Sequence, residues 1–162
     1  MKISLLNRFL YFFLSLSVFI GFYFGEDSSG TGGHINDFNN TWQLVLNFQE
    51  SLFIDFTQWI IVFPLHYIIL SQIQHLAQDK YLLRLIFCFI SLVVPYLFYL
   101  CLRNKFVKED RNLLYLFSLI IFLLPSFRSG AIWANSQITA LIFFLISLFF
   151  FKKWKKEKDF SK

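Results

Sequence analysis

The chain has 162 residues, of which 57% are hydrophobic, 22% aromatic and only 15% charged, with a formal net charge of +5 and a mean hydropathy of +0.57. A water-soluble domain carries about a quarter charged residues, so this balance excludes a soluble globular protein and points to an integral membrane protein. The expected fold is all-α, a single membrane domain of about four transmembrane helices with further helices on its outer face.

A bilayer core of about 30 Å needs about 20 helical residues. The first segment of that length is Leu5–Phe24, with Arg8 near enough to one end to snorkel to the headgroups. Its basic start also suits a signal peptide. No small-x-small cleavage site follows in FYFGEDSS, so an uncleaved anchor is expected. Residues 25–42 then read GEDSSGTGGHINDFNNTW, a polar outer loop with Asp37 in its middle. Glycines at 30, 32 and 33 would let this loop bend closely around a substrate.

Residues 42–56 are apolar at Trp42, Leu44, Val45, Leu46, Phe48, Leu52, Phe53 and Phe56. That spacing predicts an amphipathic helix resting on the membrane surface. Residues 58–76 are apolar but carry Pro64 and His66 and end in alternating polar residues. Crossing the membrane and lying at its surface both fit this run. Three later segments read as spans: Tyr81–Leu102, Asn112–Phe127 and Gln137–Phe151. The last two are short but adequate with their flanks, and Pro95 and Pro125 are tolerable as kinks. The tail, residues 152–162, opens KKWKKEK. Directly after a span it reads as a stop-transfer anchor that attracts anionic lipid, not as a nucleic-acid patch.

Charge sets the topology. Twelve of the fifteen basic residues fall in the N-terminal segment (Lys2, Arg8), the 103–111 loop and the tail. Cytoplasmic loops collect Lys and Arg, so both termini are expected in the cytoplasm, with the chain in the inner (plasma) membrane. Everything from 25 to 80 then lies outside, and the run at 58–76 becomes a re-entrant or juxtamembrane helix. Six of the ten acids, and the three remaining basic residues Lys80, Arg84 and Arg128, share this outer side. Arg at membrane depth is expensive and faces a partner or a cavity. Acid on a loop above such cations suggests a site for an anionic lipid headgroup. Snorkelling of Arg84 and Arg128 is the competing reading, and the residues alone leave both open.

The order of features resembles the N-terminal part of the GT-C superfamily of membrane glycosyltransferases, which includes protein O-mannosyltransferases and lipid A aminoarabinose transferases. The stretches that carry the resemblance are GGHINDF in the first outer loop, FPLHYIILS at 63–71, YLLRLIF at 81–87 and the span–loop–span pattern of 123–151. It covers most of the chain. The resemblance implies a polyprenyl-phosphate-linked sugar donor and inverting transfer to an acceptor at the outer face. It places the family's loop acid on Asp37, as general base or acceptor-orienting group. Arg84, Arg128 and Lys80 would stabilise the phosphate leaving group, and His34 would join them at the substrate. The short later loop, RSGAIWANSQ, lacks the second acid of some relatives, so no resident metal or other cofactor is expected. A divalent cation on His34 and Asp37, with Glu26 and Asp27 near in sequence, is disfavoured because four loop residues make a poor ligand set. His66 stands where the family often has an aromatic residue and is expected to pack at the interface. Family members have about seven spans, so the resemblance implies either a truncated or split enzyme or one that works with a second polypeptide supplying further spans.

Cys88 and Cys101 lie in one span without a CxxC pattern and read as small apolar residues. The competing functional class is a non-catalytic small multi-span protein, an assembly or lipid-binding subunit whose outer loop only mediates contacts.

Overall fold

The computed structural model describes residues 3–50 and 64–160. Among these there is no strand. The helices are α1 (Leu5–Phe24), α2 (Gly33–Glu50), α3 (Pro64–Ala77), α4 (Lys80–Ser91), α5 (Val93–Lys105), α6 (Arg111–Leu119), α7 (Pro125–Ile132) and α8 (Ser136–Phe160). A 3-10 turn over Ile120–Leu123 joins α6 to α7.

Three helices are long and apolar enough to cross a bilayer: Leu5–Phe24, the run Lys80–Lys105 formed by α4 and α5, and Ser136–Lys155 within α8. α1 has the bounds expected from the sequence and leaves Leu6, Phe9, Phe13, Leu16 and Ile20 exposed along one face. The segment expected as a span at 112–127 is bent, and it makes a fourth apolar run of spanning length only when α6 and α7 are taken together. α6 and its 3-10 turn meet α7 at a bend of 67°. Pro125 has no N–H to continue the helix and drives the residue before it out of the helical region. Leu124 accordingly sits at φ −77°, ψ 117°. Pro95 lies in the first turn of α5, where a missing N–H costs little, and α4 and α5 remain one run. α8 continues through the basic tail as far as Phe160, because Lys and Glu are good helix formers.

Hydrogen bonds fix how the helices run. Ser4 N donates to Asn112 Oδ1 (2.9 Å) and Asn7 Nδ2 to the Asn112 carbonyl (3.1 Å), so α1 and α6 begin together. At the far end Ser28 N donates to Ser129 Oγ (2.7 Å) and Trp133 Nε1 to the Glu26 carbonyl (2.9 Å). α6 and α7 therefore accompany α1 over its whole length despite the bend. α8 runs in the same direction as α4 and α5. Thr139 meets His66, which packs on Phe87, and further along Cys101 Sγ donates to the Leu145 carbonyl. The result is a bundle with two unlike ends. Arg8, the 103–111 loop and Lys152 lie at a basic end; Glu26, Asp27, Asp37, Lys80, Arg84 and Arg128 lie at the other.

Residues 25–37 are not an open loop. Gly25 ends α1 in the left-handed region at φ +66°. Gly25 N donates to the Phe22 carbonyl (3.2 Å) and Glu26 N to the Gly21 carbonyl (2.8 Å), the paired bonds of a Schellman cap. Gly30 and Gly32 are also left-handed, at φ +65° and +73°. Between them Asp27 and Ser29 build the start of α2. The Asp27 carboxylate accepts from Ser29 N (2.9 Å), Ser29 Oγ (2.6 Å) and Ile35 N (3.1 Å), and Gly33 N donates to Ser29 Oγ (2.5 Å). Slight burial acts to raise the Asp27 pKa, but these bonds outweigh it and hold the carboxyl below its ordinary value.

The helix expected over 42–56 thus begins at Gly33, and Asp37 stands in its second turn instead of on a loop. Its apolar residues Leu44, Val45 and Phe48 are buried within the fold, and α2 packs on α3. Residues 51–56 of that expectation, and 58–63 of the following run, lie outside the described residues. What remains of the latter is α3, fourteen residues long and paired antiparallel with α4.

Gly21 has a specific duty. A Cβ there would overlap Glu26 Oε2 and come within 3.0 Å of Arg128 Nη2. In an ordinary exposed helix Gly→Ala stabilises by about 1 kcal/mol. Here Gly21→Ala is expected to destabilise by about 1–3 kcal/mol, read as a lower melting temperature of the detergent-solubilised protein.

Candidate functional site

The acid-bearing end of the bundle holds a pocket of about 270 Å³ whose walls include His34, Asp37, His66, Trp133, Asn135 and Gln137. Two pieces of chain make it: the first turns of α2 and the corner between α7 and α8, closed from the side by α3.

The corner is tightly specified. Asn135 N donates to the Gly130 carbonyl (2.8 Å), which leaves Ala134 in the left-handed region at φ +50°. Glycine normally fills that position, and an alanine there costs on the order of 1 kcal/mol. Asn135 then begins α8, its Oδ1 accepting from Gln137 N (3.0 Å). That orients its Nδ2 toward His34 Nδ1 (3.1 Å). An amide nitrogen only donates, so the His34 proton in this arrangement sits on Nε2. One asparagine thus caps α8 and sets the tautomer of a pocket histidine.

His66 is buried, with 3% of its surface exposed. Its Nδ1 lies 2.8 Å from Thr139 Oγ1, and its ring packs on Tyr67 and Phe87. Burial pushes its pKa down to about 4, against a smaller opposing effect of the Ala134 backbone. The imidazole facing the pocket is therefore neutral at physiological pH.

The structure brings together two of the five sequence-predicted residues, Asp37 and His34. The three cations stand apart from the pocket wall. Arg128 forms a two-pronged pair with Glu26, Nε to Oε1 at 2.7 Å and Nη2 to Oε2 at 2.6 Å. It also donates from Nη1 to Ser17 Oγ (2.8 Å) and from Nη2 to the Ser17 carbonyl (2.9 Å). Arg84 donates from Nε to the Ile132 carbonyl (3.0 Å), and its guanidinium lies 3.5 Å from the Trp133 ring centroid and 5.0 Å from that of Phe22. Neither arginine merely snorkels to an interface; each is engaged by a partner within the fold. Lys80 is exposed at the start of α4, 3.5 Å from Asn39 Oδ1 and 5.2 Å from the Trp42 ring centroid.

The possible cation ligands are likewise dispersed: Glu26 holds Arg128, Asp27 caps α2 and His34 Nδ1 meets Asn135. Among the described residues no group of three His, Cys, Asp or Glu side chains is placed to hold a metal ion. Sequence reasoning missed Trp133, Asn135 and the pairing of Glu26 with Arg128. Asn immediately before an apolar helix is a start signal for that helix; the other two have no local signature. No protein-family model, curated protein or solved structure matches the chain.

The buried neutral His66 makes stability depend on pH. Its folded-state pKa lies below the ordinary 6.5, so between pH 6.5 and about 4 the unfolded chain binds a proton that the folded chain does not. Stability from this group is present above pH 6.5 and is lost as pH falls to about 4, by up to about 3 kcal/mol. Thermal melts across that range are expected to fall more steeply for the wild type than for His66→Gln.

Proposed function

We propose that the chain is a multi-span protein of the plasma membrane, with both termini in the cytoplasm, whose outer-face pocket binds a sugar. On this reading it is a membrane glycosyltransferase of the GT-C type, or the N-terminal module of one, moving a sugar from a polyprenyl-phosphate donor to an acceptor. The observation that supports it is the company Asp37 keeps. A carboxylate, two imidazoles, and the amides of Asn135 and Gln137 share one pocket with Trp133. Its volume lies near the small end of ligand sites. Planar amides and imidazoles exchange hydrogen bonds with ring hydroxyls. The carboxylate takes the proton of the attacking hydroxyl as the new glycosidic bond forms and the bond from the anomeric carbon to phosphate breaks. Of the three cations expected to meet the departing phosphate, only Lys80 is exposed; Arg84 acts on the pocket through Trp133. A second polypeptide would bring further cations and spans.

One observation favours the alternative of a non-catalytic assembly or lipid-binding subunit: Arg84 and Arg128 turn to the Ile132 carbonyl and Glu26, not to the pocket. Asp37→Asn separates the two readings. Sugar transfer from a polyprenyl-phosphate donor, assayed in native membranes, is expected to drop by about 10²–10⁴-fold with insertion and melting unchanged. Undiminished transfer would remove the catalytic role.

The topology has its own test. Cys88 and Cys101 are buried and form a silent background. Thr31→Cys, at the acid-bearing end, is expected to react with an impermeant thiol reagent added to whole cells. Val107→Cys, exposed at the basic end, is expected to react only after permeabilisation.

A further inference from the structure

A second cavity, of about 790 Å³, lies between α5, α6 and α8 at the opposite end of the bundle from the pocket. Phe98, Leu102 and Phe106 form one wall, Leu113 to Leu124 the second, and Leu141, Phe144 and Leu145 the third. Among the described residues Glu109 is the one ionisable side chain lining it. From Phe98 to Phe106 the helical rise is about 12 Å, and from Leu113 to Leu124 about 18 Å. The groove stops at Leu124, where the chain turns by 67° into α7.

Depth and charge together identify the occupant. A partner helix crossing the bilayer would need a seam of about 30 Å, whereas this groove spans about half of that, the depth of one leaflet. Its lining residues Phe106 and Glu109 lie in the 103–111 loop, where basic side chains gather. Lys105 Nζ lies 5.0 Å from the centroid of the Phe106 ring, which lines the groove. Lys108 is exposed in the loop, and Arg111 begins α6 two residues before the lining residue Leu113. Leu145 is level with Cys101, and Lys152 follows about 10 Å further along α8 toward the basic end, near enough for its charge to act on Cys101. Of the two acids nearby, Asp110 is engaged in capping α6, accepting from Asn112 N (3.0 Å).

We propose that this groove holds one acyl chain of an anionic phospholipid, with its phosphate among Lys105, Lys108, Arg111 and Lys152. The apolar walls accept the chain, and the surplus of cations over Glu109 selects an anionic headgroup over a zwitterionic one. Basic pockets between membrane helices take anionic headgroups in this manner. The proposal rests on the membrane placement of the bundle and not on catalysis at Asp37.

Native mass spectrometry tests it, on the full chain released from nanodiscs of equal parts phosphatidylglycerol and phosphatidylcholine. Phosphatidylglycerol is expected to remain bound in preference to phosphatidylcholine by at least about fivefold. The preference is expected to vanish in the triple variant Lys105→Gln/Lys108→Gln/Arg111→Gln and in Ile121→Trp, which fills the groove. It is expected to persist in Phe13→Trp, on the exposed face of α1. Circular dichroism checks that each variant keeps its helix content; if Ile121→Trp loses it, the more exposed Leu124→Trp replaces it. Equal retention of the two lipids, retention of neither, or a preference that survives either groove variant would overturn the proposal.

Discussion

The pairing of Arg128 with Glu26 is the constraint on which the acid-bearing end of the molecule depends. A guanidinium held against apolar helices is tolerable only when its donors are met. Here Nε and Nη2 grip the carboxylate, while Nη1 and Nη2 also reach Ser17. The carboxylate reaches that position because α1 ends at Gly25 in the left-handed conformation and because Gly21 has no side chain. A partly buried pair of this kind adds less net stability than its short distances suggest, since both ions lose some of their hydration. What it supplies is register. It fixes α7 against the end of α1 across the break at Pro125, where the helix itself no longer transmits position.

The pocket inherits its shape from that register. With α7 held, Trp133 can donate to the Glu26 carbonyl and present its ring to Arg84. The chain must then reverse within three residues to start α8, and Ala134 accepts a left-handed backbone to do so. The reversal brings Asn135 to His34, and so joins the α7–α8 corner to the start of α2. On the other side Asp27 and Ser29 order the same start of α2, so Asp37 stands on a scaffold fixed from both sides. Arg84 and Arg128 thus act on the pocket from behind, by holding its walls.

Much of the bundle was legible in composition and periodicity. An apolar run of about twenty residues has few alternatives to a helix in a membrane, so Leu5–Phe24 and the later long segments stood out. The break at Leu124 was harder, because a proline can kink a span or end it, and packing of the following turn decides. Residues 25–37 misled in the other direction. Glycine, serine and aspartate read as a loop, but here they form the caps that start α2 at Gly33. For the site, Asp37 and His34 were accessible as polar residues on an otherwise apolar chain. The engagement of Arg84 and Arg128 was not, because their partners lie 48 and 102 residues away in sequence.

The same charge means different things at the two ends. Counting Lys and Arg sets an expectation for the direction of insertion but does not tell whether a given cation is available. At the acid-bearing end each arginine meets an internal acceptor, so its charge is neutralised within the fold or stacked on an aromatic face. At the basic end Lys105, Lys108, Lys153 and Lys155 are exposed, and the acids of this end, Glu109, Asp110, Glu157 and Asp159, are outnumbered by its lysines and arginines. Among the described residues the exposed positive charge is therefore concentrated away from the polar pocket, and beside that pocket the arginines are already engaged and only Lys80 is exposed. On the two proposals made above, this division would leave sugar hydroxyls to the polar pocket at one end and anionic headgroups to the lysines and arginines at the other.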